Sequence, residues 1–335
     1  MINIWKEVSL FSLNTFGIPA RTSVFVESDN AVELADFIKT LPDPSTAVLL
    51  GGGSNLLFVS DRCETVIHPA IKGIEYIDET DDDMFVRVGA GEIWDDFVQW
   101  CVERNYAGVE NLSYIPGTVG ACPIQNIGAY GMEARETIET VETIEMATGR
   151  AVSFNNQQCQ FDYRDSFFKK NKGKYLITAV KFRLSKRFEP RIKYADLKTE
   201  LFRNAHITME TMRQAVVSIR SRKLPDPAKL GNAGSFFKNP TIDTAKYKEI
   251  IQLYPKAPLY PVDMDHWRIS AAWLIELCGW KGKQCGNVGT YKQQALIIVN
   301  YGDATGKEIL DFAGKIIDSV VDRFGIRLEP EVNIV

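Results

Sequence analysis

From Asn111 to Gly131 the chain carries four glycines, two prolines and little hydrophobic periodicity. A stretch of this length without a helix or strand pattern is uncommon inside a compact domain unless its backbone holds something, so it reads as a ligand loop. A second glycine cluster, Gly51-Gly52-Gly53-Ser54-Asn55, follows Ala47-Val48-Leu49-Leu50, which reads as a buried strand. Consecutive residues without Cβ let main-chain N–H groups close around a phosphate, and a diphosphate is the natural occupant. Alone, a triple glycine is more often a flexible turn. It is also not a Rossmann fingerprint: Gly89-Ala90-Gly91 follows the strand Phe85-Val86-Arg87-Val88 but has Trp94 where the third glycine should be. The sequence contains no Walker A motif.

The patterns around these loops mix short strands and helices. Asp29-Asn30 precedes an apolar-periodic stretch (Val32, Leu34, Ala35, Ile38), and Trp94, Phe97, Val98, Cys101 and Val102 form one face of a helix that stops near Asn105 to Gly108. Ile138 to Met146 and Tyr175 to Leu184 read as strands, with a turn at Thr148-Gly149. Lys181 to Lys193 is basic and contains a proline, which suits a linker or a solvated strand end equally. The last helix is the clearest: Thr305 and Glu308 fit a capping box, Ile309, Phe312, Ala313, Ile316, Ile317, Val320, Val321 and Phe324 form its stripe, and Gly325 ends it. A final strand is expected over Arg327 to Val335.

Composition narrows the partners. With 39 basic and 43 acidic side chains, net charge −4, the chain has no global field to gather nucleic acid or anionic lipid, so charge for an anionic ligand must be local. Six scattered cysteines (Cys63, Cys101, Cys122, Cys159, Cys278, Cys285) with no C-x-x-C pair and only three histidines indicate neither zinc nor a disulfide framework. No apolar run approaches the ~18 residues of a membrane span and no leader pattern opens the sequence, so a cytoplasmic protein, monomeric by default, is expected.

Two glycine-rich loops in one α/β domain suggest one large cofactor. Gly51 to Asn55, then Pro116-Gly117-Thr118-Val119-Gly120, then Gln125-Asn126-Ile127-Gly128-Ala129-Tyr130-Gly131 resemble the UDP-N-acetylenolpyruvoylglucosamine reductase family, and together resemble a flavin domain of the vanillyl-alcohol-oxidase type. The resemblance runs over nearly the whole chain. It implies an α+β fold: an FAD-binding domain over 14–187, made of two α/β subdomains split near 70, and a C-terminal α/β substrate-binding domain over 188–335. It implies FAD, held non-covalently, at Gly51, Gly52, Gly53, Ser54, Asn55, Pro116, Gly117, Gly120, Ile124, Gln125, Asn126, Gly128 and Ala129, with Arg220 the basic residue near it. Cys122 departs from the small residues usual at its position.

Three further segments match the family. In Tyr163-Arg164-Asp165-Ser166 an arginine fork can hold a carboxylate and the charge that spreads onto it, although taken alone this segment reads as an ion pair. In Gly231-Asn232-Ala233-Gly234-Ser235-Phe236-Phe237-Lys238-Asn239-Pro240 the glycines leave Ser235 on a tight turn, where its hydroxyl could give a proton to carbon; in isolation such a stretch is usually only a turn. In Leu328-Glu329-Pro330-Glu331-Val332-Asn333-Ile334, period two separates an apolar face from a polar one carrying Glu329 and Glu331, and the resemblance places the catalytic glutamate at Glu331. Substrate positions implied in the same way are Tyr130, Lys223, Asn239 and Gln294, with Lys223 at the diphosphate, and Tyr194 and Tyr260, tyrosines of the larger subtype that close over the sugar nucleotide. The implied reaction uses NADPH as hydride donor and UDP-N-acetylenolpyruvoylglucosamine as acceptor, with no metal. Two rivals are another flavin oxidoreductase of the same cofactor fold and a non-catalytic sugar-nucleotide binding protein.

Overall fold

The computed structural model describes residues 1–202 and 206–335. Its backbone contacts divide the chain into two compact units, and each takes three separate pieces of sequence. The first unit comprises Met1–Ser9, Arg21–Gly53 and Arg62–Arg222; the second comprises Leu10–Ala20, Ser54–Asp61 and Lys223–Val335. Residues 188–222, which the sequence reading groups with the second domain, pack with the first unit.

A four-stranded and a five-stranded sheet form the framework of the first unit. In one, Asn3–Ser9 pairs antiparallel with Arg21–Ser28, which runs parallel to Arg62–Pro69, itself parallel to Val48–Leu49. The parallel arrangement requires a crossover, supplied by the helix Ala31–Thr40, whose first turn Asn30 caps through bonds to Val32 N and Glu33 N. Leu34 and Ile38 of that helix pack in one cluster with Val26, Ile67, Ile144 and Leu176. After Pro69 the chain passes into a five-stranded antiparallel sheet, ordered Arg150–Asn155, Ile138–Glu145, Tyr175–Ser185, Asp83–Gly89, Ile74–Glu79. The helix Trp94–Glu103 lays Trp94, Phe97, Val98, Cys101 and Val102 into the core over this sheet. Lys181 to Ser185 therefore belong to a central strand, and the linker reading applies only beyond it. A helix pair, Ala195–Leu201 and Met209–Lys223, buries Leu197, Leu201, Met212, Val216 and Ile219.

The second unit is mostly antiparallel. Gly231–Ser235, Ile297–Asn300, Val288–Thr290 and Gln284–Cys285 form one sheet, and Thr241–Asp243, His266–Ile269 and Leu259–Pro261 another. The helix Gly306–Phe324 has the predicted Thr305/Glu308 capping box and ends at Gly325 in the left-handed conformation. Ile317 and Val321 lie at the half-buried margin of its stripe. The strand predicted over Arg327 to Val335 is regular only at Asn333–Ile334, which pairs parallel to Leu56–Leu57; upstream, Pro330 makes an isolated bridge to Phe237. The segment changes partners partway, so no single ladder runs its length. Its alternation survives: Leu328 and Val332 are buried while Arg327 and Glu329 are exposed. Among the described residues no helix is long and apolar enough to cross a membrane.

Candidate active site

In the first unit the two glycine loops are built against each other. A Cβ on Gly52 would lie 2.8 Å from Gly117 Cα, and one on Gly51 would lie 2.9 Å from Thr118 Oγ1. Gly53 has φ 63°, which only glycine adopts freely. The second loop rests on the Gly89-Ala90-Gly91 turn: Gly120 N donates to Ala90 O at 2.9 Å, and a Cβ on Gly120 would fall 2.7 Å from Ala90 Cβ. Gly91 in turn crosses Ala70, where a Cβ would come within 2.7 Å of the carbonyl carbon. The glycines excluded as a Rossmann fingerprint thus support the loop that replaces it, a role that close backbone approach at a strand end could have suggested.

The rest of the long loop folds back on itself. Asn126 is fully buried, and its side chain is committed to Glu133 Oε2, Asp162 O and Arg135 N, so only its backbone is left to face a cofactor. The Ile124 carbonyl accepts the buried Ser166 hydroxyl at 2.6 Å, tying this loop to the Tyr163–Ser166 turn. Arg164 sits on that turn with φ 54°, a left-handed conformation costly for a side-chain-bearing residue, and its guanidinium donates to Gly128 O at 2.5 Å. A Cβ on Gly128 would lie 2.9 Å from Arg164 Nη1, so this glycine makes room for the arginine. Gly128 and Ala129 form a short ladder with Met132–Glu133. Gln125 is half-buried and Pro116 exposed. Cys122 is buried in the core beneath, where desolvation pushes its thiol well above the ordinary range.

Positive charge gathers here. Arg220 Nε donates to Tyr114 O at 3.0 Å. Burial lowers the pKa of Arg220; Tyr130 opposes that shift and the like charge of Arg164 adds to it. Burial raises the phenol of Tyr130, with Arg220 pulling the other way. The Tyr130 and Tyr194 rings meet edge to face, 5.8 Å between centroids. Arg164, Arg220, Tyr130 and Tyr194 thus belong to one neighbourhood of the first unit, one suited to an anion.

Ser235 and Glu331 belong to the second unit. Ser235 ends the strand Gly231–Ser235, opposite Ile297, after a register shift at Gly234, whose φ is 71°. Asn232 shapes the bulge by accepting from Gly234 N at 2.9 Å and donating to Leu230 O at 2.8 Å. Phe236 and Phe237 anchor the following residues in the core, and the Phe236 carbonyl accepts Glu331 N at 2.7 Å. Glu331 therefore lies one backbone bond from the residue after Ser235. Asn55 Nδ2 donates to Glu331 O at 3.3 Å, and Asn55 O accepts from Asn333 N at 3.1 Å, so Ser54 and Asn55 travel with the terminal segment rather than with Gly51–Gly53. Asn239 Oδ1 accepts Ala271 N at 2.9 Å, which commits that oxygen to the start of the helix Ala271–Leu277. Gln294 shapes its own turn by accepting Leu296 N at 3.4 Å. Tyr260 is exposed on the strand Leu259–Pro261, and Lys223 is exposed at the end of its helix.

Comparison with known proteins decides the family. The chain is 43% identical to the UDP-N-acetylenolpyruvoylglucosamine reductase of Bacteroides fragilis, over 98% of this chain and 99% of the relative. It is 41% identical to the Flavobacterium johnsoniae protein of the same name, over the full length of both. This chain belongs to the UDP-N-acetylenolpyruvoylglucosamine reductase family. Residues 22–155 match the FAD binding domain family, and residues 226–335 match the UDP-N-acetylenolpyruvoylglucosamine reductase C-terminal domain. The fold is shared with the crystal structure of UDP-N-acetylenolpyruvylglucosamine reductase from Thermus caldophilus, with TM-score 0.70, 23% identity, and coverage of 100% of this chain and 99% of that one. The glycine loops lie inside the FAD-binding match, and Ser235 and Glu331 inside the C-terminal one.

Proposed function

We propose that this chain reduces the enolpyruvyl ether of UDP-N-acetylenolpyruvoylglucosamine to UDP-N-acetylmuramate, using NADPH, in the cytoplasmic synthesis of peptidoglycan precursors on which cell shape and division depend. The observation that carries the reading is the full-length identity to relatives of that name, joined to loops whose glycines leave no space for side chains where a cofactor's phosphates would approach. In this reading the chain works as a monomer, with no nucleic-acid or membrane partner.

Gly51–Gly53, Pro116–Gly120 and Ile124–Ala129 hold FAD together with Ser54, Asn55 and Arg220. Bound FAD supplies, from NADPH, the hydride that adds to the enolpyruvyl methylene carbon. Arg164 receives the substrate carboxylate in its fork and takes up the charge that spreads onto it. Glu331, protonated or sharing a proton, helps hold that charge, and the Ser235 hydroxyl protonates the adjacent carbon, completing addition of H⁻ and H⁺ across the double bond. Lys223 meets the diphosphate, while Tyr130, Asn239 and Gln294 contact the nucleotide sugar and Tyr194 and Tyr260 close over it.

The test is anaerobic. NADPH should bleach the flavin absorbance, and added UDP-N-acetylenolpyruvoylglucosamine should restore it with formation of UDP-N-acetylmuramate. Flavin that reduces but ignores this substrate would assign the chain to another oxidoreductase reaction, and a colourless protein would leave a sugar-nucleotide binding role.

A further inference from the structure

We propose that Asp95 and Arg213 form a positioning pair that holds the Tyr114–Gly120 loop in the shape that receives FAD, an inference that rests on the cofactor reading above. Neither residue stands out in sequence. Asp95 lies in the first turn of the helix Trp94–Glu103, where a carboxylate is favoured by the helix dipole. Its Oδ1 accepts the Tyr114 backbone N–H at 2.6 Å. Arg213 closes on it with both fork nitrogens, Nη1 to Oδ1 at 2.6 Å and Nη2 to Oδ2 at 3.0 Å. The side chains are 12% and 26% exposed for Arg213 and Asp95, so the pair is screened little and losing either member leaves a poorly solvated charge.

Arg213 and Arg220 are two turns apart on the helix Met209–Lys223 and so share a face. Arg220 holds the Tyr114 carbonyl while Asp95 holds its N–H. Both polar groups of one residue are thereby fixed, and that residue has φ 59° without being glycine. A left-handed conformation there is unfavourable for a residue with a side chain and persists only where surrounding bonds over-determine it. Downstream, backbone bonds fasten the loop: Gly117 O accepts Trp94 N at 3.0 Å, Val119 N donates to Glu92 O at 2.8 Å, and Gly120 N donates to Ala90 O at 2.9 Å. Tyr114 is the entrance to this run and is held by side chains. Two residues on comes rigid Pro116, then Gly117, which faces Gly52 across the gap between the two glycine loops. A relaxed Tyr114 would shift Gly117 and open the surface that both loops form. Arg213 acts through Asp95, and neither is assigned contact with the cofactor.

The experiment titrates FAD into apoprotein, reading flavin fluorescence, for wild type, Asp95→Ala and Arg213→Lys, with the thermal midpoint of each apoprotein measured alongside. The expected result is FAD binding weakened roughly tenfold or more in folded Asp95→Ala apoprotein, which is about 1.4 kcal/mol of binding free energy. Arg213→Lys, which keeps the charge but loses the fork, should fall between Asp95→Ala and wild type. A purely structural role would lower the midpoint and leave the affinity of the folded protein unchanged. Affinities within about twofold of wild type in both variants overturn the proposal, at a level where the measurement no longer resolves a coupling. If Asp95→Ala does not fold, Arg213→Lys alone decides by the same comparison. A wild-type apoprotein that takes up no FAD would sink the cofactor reading and this proposal with it, an outcome distinct from normal uptake by every variant.

Discussion

One carbon added at Gly52 would stand 2.8 Å from Gly117 Cα, and the atom it meets is backbone, which cannot swing aside as a side-chain tip can. Gly52→Ala should therefore push the two loops apart, abolish retention of FAD through purification and lower stability by about 1–3 kcal/mol; a yellow Gly52→Ala protein with an unchanged melting point would contradict this. Ser235 is tested by its chemistry rather than its packing. Ser235→Ala should leave reduction by NADPH near normal and slow reoxidation by the enolpyruvyl nucleotide by roughly 10²–10⁴. Normal reoxidation in stopped flow would remove Ser235 from the reaction. At this scale, what could be read in advance was local. Runs of glycine announce backbone approach wherever they occur, so Gly51–Gly53 and Gly117–Gly120 were visible as loops. Asp95 and Arg213 stand 118 residues apart and each is unremarkable in its own helix, so only the fold reveals them as a pair. Asn126 shows the converse: it falls in the family motif, yet its side chain is occupied within the fold.

Helices with complete punctuation were legible as elements. Thr305, Glu308 and Gly325 mark both ends of the helix Gly306–Phe324, because capping is chemistry between near neighbours. The segment from Arg327 to Val335 was not, because its pairing depends on Leu56–Leu57 and Phe237, and period two marks faces without naming partners. In the five-stranded sheet, Glu142 meets Lys181, at 3.2 Å, on the adjacent strand Tyr175–Ser185 and Arg87, at 2.9 Å, on the strand beyond it, Asp83–Gly89. Burial opposes its ionisation, but the bonds and charges of Arg87 and Lys181 outweigh that and hold its carboxyl below the usual range. A depressed carboxylate contributes stability that is full above its unfolded pKa, roughly 4.3, and is lost as pH falls through the folded value. Glu142→Gln should accordingly cost about 1–2 kcal/mol at pH 7, with the gap to wild type closing as pH drops below the unfolded pKa. Urea unfolding at several pH values measures it, and a gap that is constant down to acid pH would rule out the linkage.

For the whole molecule, the resemblance pointed to two parts, but sequence order concealed how they are assembled. The second unit needs Leu10–Ala20 and Ser54–Asp61 as well as its long final piece. Gly231 lies so close to the Phe16 carbonyl, and Gly306 to the Phe58 carbonyl, that a Cβ at either would be 2.3 Å or 1.7 Å from the oxygen. A fragment of residues 223–335 should therefore show no cooperative melt and no sharp near-ultraviolet circular dichroism; a cooperative transition in that fragment would refute the division. The same interleaving sets a timetable during synthesis. Asn55 meets Asn333, 278 residues later in the chain. At ribosomal speeds that interval is on the order of tens of seconds, during which Leu57 and Phe58 have left the tunnel without the strand and helix that will cover them. The nascent chain must spend that time shielded by other means, so demand for a chaperone should be greatest while the middle of the message is being translated.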